Sequence, residues 1–125
     1  MIDHFGFPVS DIARSVEFYL DAFAPVGLEE LQRVQTPSGA LVGFGSAGHP
    51  FFWLHEGARG VQQELHFAFS APSREAVDGV HERAVASGIE VLHAPRVWPE
   101  YHPGYYAVFL RDPNGHNVEA VHHTF

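Results

Sequence analysis

Residues 102 to 119, His-Pro-Gly-Tyr-Tyr-Ala-Val-Phe-Leu-Arg-Asp-Pro-Asn-Gly-His-Asn-Val-Glu, restrict the fold more than any other stretch of the chain. Tyr105 to Leu110 is aromatic and β-branched enough for a strand. Asp112-Pro113-Asn114-Gly115 reads as a tight turn, because proline fixes φ and Gly115 can take the positive φ that closes it. A second strand then carries Glu119. A carboxylate in mid-strand needs something to neutralise it unless it faces water, so the question becomes which residues meet it.

Upstream, Phe5, Phe7 and Val9 share one face of a first strand over residues 2 to 9, and His4 and Gly6 share the other. Ser10 is read as the N-cap of a helix in which Ile12, Val16, Leu20 and Phe23 recur at helical spacing. Pro25 and Gly27 end that helix. Residues 28 to 36, 40 to 46 and 50 to 55 read as strands, with turns at Pro37-Ser38-Gly39 and Ser46-Ala47-Gly48. After a connection at Glu56 to Gly60 the order repeats. Leu65, Phe67 and Phe69 share one face of a strand from Glu64 to Ser70, and His66, Ala68 and Ser70 share the other. A helix from about Ser73 to Ser87 follows, with Gly88 at its C-cap position and Gly79 as a weak point inside it. Strands near 89–93, 104–111 and 116–122 complete the unit.

The two halves also match in sequence. His4-Phe5-Gly6-Phe7 lies over His66-Phe67-Ala68-Phe69, Gly48-His49 over Gly115-His116, and Leu54-His55 over Val121-His122. The expected architecture is α+β: one domain over residues 1–125 built from two βαβββ modules, about 1–58 and 62–125.

Composition narrows the function. A net charge of −8 with only seven Lys plus Arg removes the basic footprint that nucleic acid requires. No apolar run reaches the ~18 residues of a membrane span. The chain has no cysteine, hence no disulfide and no Cys-ligated zinc. The acidic start Met-Ile-Asp-His is unlike a signal peptide, and the cytoplasm is the expected compartment. Ten histidines are the outlying number, and histidine is both the commonest metal ligand and the natural acid–base group near neutral pH.

Alternation turns His4 and His66 away from the apolar faces of their strands, and Glu119 is out of phase with Val118 and Ala120. Two imidazoles and a carboxylate at related positions of a repeat suit a divalent ion: Fe, Mn, Zn, Ni or Co. Taken singly, His4 also reads as a solvated strand-end histidine, His66 as a satisfied pocket histidine, and Glu119 as a partner of Arg111 or Arg96. Tyr101, His102, Tyr105 and Tyr106 read either as a substrate-facing rim or as an aromatic surface that packs on a second chain. Trp53 and Trp98 read as pocket wall or core, and His122 and His123 as solvated.

Asp3-His4-Phe5-Gly6-Phe7-Pro8-Val9-Ser10-Asp11-Ile12-Ala13-Arg14-Ser15-Val16-Glu17-Phe18-Tyr19 and Asp112-Pro113-Asn114-Gly115-His116-Asn117-Val118-Glu119 resemble the opening and the last hairpin of the vicinal oxygen chelate superfamily, the glyoxalase / bleomycin resistance / extradiol dioxygenase group. The resemblance covers the whole chain. It implies paired modules curled around a cavity, a divalent metal that chelates vicinal substrate oxygens, and a homodimer in which some members share the site between chains. By position it makes His4, His66 and Glu119 metal ligands. The fourth ligand of glyoxalase I types falls here on Phe52 or Trp53, neither of which can ligate. The ring-cleaving signature fits as His102, five residues, Val108, Phe109, Leu110-Arg111, Asp112-Pro113-Asn114-Gly115 and Glu119, with Phe109 where those enzymes carry a tyrosine. Tyr105 has the strand parity to replace that phenol and Tyr106 does not. The resemblance thus implies a metal-dependent dioxygenase or lyase/isomerase with His102, Tyr105 and Glu119 in catalytic roles and a small molecule with vicinal oxygens as substrate. The alternative it implies is a metal-free antibiotic-binding protein, whose acidic, aromatic groove would hold a cationic drug.

Overall fold

The computed structural model describes residues 2–57 and 63–125, so the connection at about 58 to 62 lies outside the described residues. The elements run β1 (Phe5–Val9), α1 (Ile12–Ala22), a 3-10 turn at Ala24–Val26, β2 (Glu29–Thr36), β3 (Gly39–Ser46) and β4 (His49–Glu56). They continue as β5 (His66–Ser70), α2 (Arg74–Ala86), β6 (Val91–Val97), β7 (Tyr105–Arg111) and β8 (Asn117–His123). Two four-stranded sheets result, ordered β1-β4-β3-β2 and β5-β8-β7-β6. In each, the first strand runs parallel to the fourth and the remaining pairs are antiparallel. This is the α+β arrangement expected of paired βαβββ units.

Local chemistry accounts for the element ends, with one correction. The N-cap of α1 is Asp11, not Ser10: the Asp11 carboxylate accepts the Arg14 N–H at 3.1 Å. Ser10 is drawn elsewhere, its hydroxyl donating to Asn114 Oδ1 at 3.1 Å and its N–H to the same oxygen at 3.3 Å. Ser73 caps α2 by accepting from Ala76 N–H. Gly27 and Gly88 follow the helical segments at φ 88° and 68°, conformations that cost a residue with a Cβ. Gly79 has a packing reason as well. A Cβ there would lie 3.1 Å from Pro25, so the glycine lets α2 settle on the 3-10 turn of the first unit. Pro8 is tolerated because β1 is an edge strand.

One hydrophobic core runs through both units. Phe7, Val9, Phe44, Phe52 and Leu54 of the first sheet join Phe69, Val108, Leu110, Val118 and Ala120 of the second, with Val16 and Tyr19 of α1 and Val77 and Val80 of α2. Phe5 and Phe7 meet Phe67 with ring centroids 5.2 and 5.7 Å apart, so β1 and β5 touch through side chains while belonging to separate sheets. Phe7 is buried, which contributes roughly 1.5–3 kcal/mol relative to exposure, and Phe5 and Phe67 are partly buried against it.

A polar tie fixes the two units within this core. Tyr19, fully buried in α1, donates its O–H to Asp112 Oδ2 at 2.6 Å. Asp112 Oδ1 takes the N–H groups of Asn114 and His116 at 2.9 and 2.8 Å, closing the turn on itself. Burial, reinforced by this carboxylate, pushes the Tyr19 phenol well above its ordinary pKa, so it remains a donor. Tyr19→Phe leaves Asp112 Oδ2 buried with no donor among the described residues, and should lower unfolding free energy by about 1–3 kcal/mol in chemical denaturation. Unchanged stability would mean that the two backbone donors satisfy Asp112 alone.

Candidate metal centre on the open face of the second sheet

In the second sheet, alternation divides the side chains cleanly. Phe67, Phe69, Tyr106, Val108, Leu110, Val118 and Ala120 turn toward α2 and the core. His66, Ala68, Tyr105, Ala107, Phe109, Glu119 and Val121 occupy the opposite face, which is open at His66 and Ala68 and buried at Ala107, Phe109, Glu119 and Val121. The ladder sets Glu119 beside Ala68 on one side and Phe109 on the other.

Glu119 lies on the floor of this face. Its side chain is 2% exposed, whereas that of His66, which leans over it, is 53% exposed. Tyr105 O–H donates to Glu119 Oε1, and His66 Nε2 stands 3.2 Å from Oε2. The tautomer of His66 follows from its other nitrogen. Nδ1 faces the Asn117 carbonyl at 3.1 Å, and a carbonyl can only accept, so Nδ1 carries the proton. In the neutral ring Nε2 then offers a lone pair to a carboxylate oxygen, and only a proton or a metal ion between the two makes the contact attractive. The backbone bond at Nδ1 also orients the ring as metal-bound histidines are oriented. Phe109 stacks on it at 6.0 Å and 23°. Imidazole nitrogen plus carboxylate oxygen is a donor set that fits a divalent ion. Burial raises the pKa of Glu119, against the lowering by Tyr105 and His66. Burial and Glu119 in turn push the Tyr105 phenol far up.

Around this pair the structure gathers residues that alternation could not reveal. β6 shifts register twice, between Val91 and His93 and again between His93 and Arg96. His93 thus pairs with Phe109 and Arg96 with Ala107, both on the open face although three residues apart. Trp98 packs edge-on against Phe109 at 5.0 Å and His93 at 5.1 Å, forming a small second cluster with Ala107 and Val121. Neither arginine weighed as a partner of Glu119 takes that role. Arg111 bonds the Gly115 carbonyl and pairs with Glu64 and Glu90, while Arg96 lies over Trp98.

His4 joins no three-residue metal-holding group with His66 and Glu119, although it shares a cleft with His66. It is exposed, its Nδ1 2.8 Å from Asp3 Oδ1, and it lines a cleft of about 790 Å³ with Phe5, His49, Phe51, His66 and Phe69. Among the described residues no three His, Cys, Asp or Glu side chains form a metal-holding group. His102 sits at the rim, its ring edge-on to Tyr105 at 5.6 Å. Its Nδ1 accepts the Gly104 N–H, so Nε2 is protonated and donates to His123 Nδ1 at 2.9 Å. His122, read as solvated, is instead half-buried with Nδ1 bonded to the Ala71 carbonyl. Tyr106 is on the core side, donating to Asp78 of α2.

Register also resolves the fourth-ligand position. Gly6 pairs with Trp53 as Ala68 pairs with Glu119, and Gly43 pairs with Trp53 as Phe109 pairs with Glu119. Trp53 therefore stands where its sister unit has the carboxylate. Its indole lies across Gly43, where a Cβ would come within 2.6 Å of Cζ3.

This layout agrees with the sequence comparison, in which residues 1–120 match the family described as the Glyoxalase/Bleomycin resistance protein/Dioxygenase superfamily. The chain belongs to this superfamily. No curated protein sequence matches it. Solved members share its fold. A glyoxylase/bleomycin resistance protein/dioxygenase domain from Frankia sp. EAN1pec aligns at 19% identity and TM-score 0.78, covering 99% of this chain and 92% of the other. A lactoylglutathione lyase from Agrobacterium tumefaciens aligns at 27% and 0.70, covering 98% and 92%. The fosfomycin resistance protein FosX from Listeria monocytogenes aligns at 26% and 0.73, covering 99% and 92%, and one of its structures holds Mn(II) and a sulfate ion. Known members thus include enzymes, and among the described residues no helix is long and apolar enough to cross a membrane.

The raised pKa of Glu119 has a stability consequence in metal-free protein. The folded state holds this proton more tightly than the unfolded chain, so the cost of the buried charge is complete above the raised pKa. It is relieved as pH falls through that value toward the ordinary 4.5. Glu119→Gln should therefore be more stable than the parent at neutral pH, with the advantage shrinking on acidification in denaturation curves. A variant no more stable at neutral pH would contradict this.

Proposed function

We propose that the protein is a divalent-metal-dependent enzyme, of dioxygenase or lyase/isomerase type, acting on a small molecule with vicinal oxygens. The observation that carries this reading is the His66 Nε2 lone pair held 3.2 Å from a buried carboxylate oxygen, with the ring's other nitrogen committed to the backbone. His66 and Glu119 would hold the ion, whose identity among Fe, Mn, Zn, Ni and Co is left open by this donor set. The third ligand in the reading is His4 of a second copy, because among the described residues His4 of the same chain completes no metal-holding group with the pair. The protein is then a homodimer with sites shared between chains, working in the cytoplasm.

A divalent ion so held supplies Lewis acidity to two adjacent substrate oxygens. The residues around it have separate tasks. Tyr105 fixes the Glu119 carboxylate through Oε1, and its raised pKa keeps it a donor at neutral pH. Phe109 holds the His66 ring and excludes water beside it. His102 and His123 form a two-imidazole chain at the rim through which a proton passes between the site and solvent. The metal found in a FosX structure supports the reading, as does family membership.

The metal-free binding alternative also has an observation in its favour. The cleft beside His4 and His66 is lined largely by Phe5, Phe51, Phe67 and Phe69 in a chain of charge −8, which would suit a cationic apolar drug.

Metal analysis separates the two. The purified protein, or protein soaked with metal and desalted, should carry about one ion per chain, and His66→Ala should lose it; no stoichiometric ion in either preparation sinks the enzyme reading. A second measurement tests the sharing. His4→Ala and His66→Ala chains, each unable to bind metal alone, should recover about a quarter of the sites when refolded together in equal amounts, since half the dimers are mixed and each restores one of two sites. No recovery would place the whole site within one chain.

A further inference from the structure

β5 is an edge strand of the second sheet, and its residues line two adjoining hollows. The cleft of about 790 Å³ beside His66 is one. The other, of about 260 Å³, shares Phe51, Ala68 and Phe69 with it and continues past Val26, Leu28 and Ser46. Together they make a groove of the size that holds small organic molecules, ~300–1,000 Å³.

The two ends of this groove differ. His4, His49 and His66 line the wider end, and the narrower end has only the hydroxyls of Ser46 and Ser70 as polar side chains. Among the described residues no arginine lines either hollow, and the chain has no lysine; Arg59 lies outside the described residues. The one carboxylate in the lining, Asp3, is already held by His4 at 2.8 Å.

His49 is the imidazole that the fold leaves uncommitted. Its repeat counterpart His116 is buried against Phe7, with Nδ1 accepting the Leu65 N–H. His49 is exposed beside Phe51, ring centroids 6.5 Å apart, and has no hydrogen bond among the described residues. His4 is engaged by Asp3, and His66 by the Asn117 carbonyl and Glu119. A neutral imidazole both donates and accepts, so His49 can take a hydroxyl in either sense.

We propose that this groove binds an uncharged amphiphile, with a hydroxylated head on His49 and an apolar tail running past Phe51 and Phe69 to Val26 and Leu28. Hydrogen-bonding rings at one end and phenyl and aliphatic walls beyond select a molecule divided in the same way. The inference deepens the functional reading and rests on it only for placing the head's vicinal oxygens at an ion on His66.

A series of para-alkylphenols, titrated calorimetrically into the full chain after a chelator has stripped it of metal, tests this. Affinity should rise about threefold for each carbon from phenol to para-butylphenol, as burial of each methylene predicts. Ser46→Phe, a change at an exposed position that narrows the far end, should level the rise after ethyl and spare phenol itself. His49→Leu should weaken para-butylphenol about two- to tenfold, the worth of one hydrogen bond, and leave butylbenzene unchanged. The anion para-butylbenzoate and the cation para-butylbenzylammonium should each bind at least about tenfold more weakly than the phenol, since neither charge finds a free partner. Either ion binding as tightly as the phenol overturns the proposal. Affinity independent of tail length does the same, as does an absence of saturable binding because a second copy covers the groove. Repeating the series with Mn(II) keeps the two readings apart. Tail dependence in stripped protein supports the groove even where no ion binds. A stoichiometric ion without tail dependence leaves the metal site standing and sinks the groove.

Discussion

A single buried carboxylate holds this molecule's two halves in register. Asp112 closes its own turn with two backbone donors and takes its third hydrogen bond from Tyr19, a residue that touches both sheets: Phe44 and Phe52 on one side, Phe67 and Phe69 on the other. Asn114 in the same turn reaches Ser10 and Ser15 at the start of α1, and His116 meets Phe7 edge-on at 4.9 Å. Apolar burial supplies most of the attraction between the halves, but it is non-directional. The Asp112 network supplies direction, and β8, which carries Glu119, starts one residue beyond it.

That continuity explains how the site is built. The turn is pinned from the first unit, so the start of β8 is pinned, and the parallel ladder from β5 then brings His66 and Glu119 to the same open face. The proposed site draws on the two central strands of the second sheet and on the edge strand beside them. The residues that shape the space come from β6, which departs most from regular pairing. Regular strands fix the His66–Glu119 pair, and an irregular one aims the residues around it.

What could be read in the sequence follows the same division. Element order, the turn at Asp112 to Gly115 and the face occupied by each residue of β5, β7 and β8 depend on alternation and turn chemistry, both local, and both were legible. The cap of α1 was missed because Ser10 is claimed by Asn114, 104 residues away. Trp98 was read as pocket wall or core, and it is buried in the second cluster. That His93 and Arg96 share one face was missed, because a register shift leaves no mark in composition or periodicity. His4, by contrast, is legible as a repeat position but not as a neighbour of Glu119, since repeats report equivalence and not proximity. The choice between Phe52 and Trp53 needed the ladder itself.

Trp53 and Gly43 also limit how such a protein can change. The first unit has a bare glycine and a broad indole where the second has Phe109 and Glu119. The two sites are epistatic, since any side chain at Gly43 collides with the indole while Trp53 is present. A side chain at Gly43 is accommodated only after the indole of Trp53 has been lost. The reverse order passes through a chain with two groups in one place. The two halves share a fold and differ in which of their positions constrain one another.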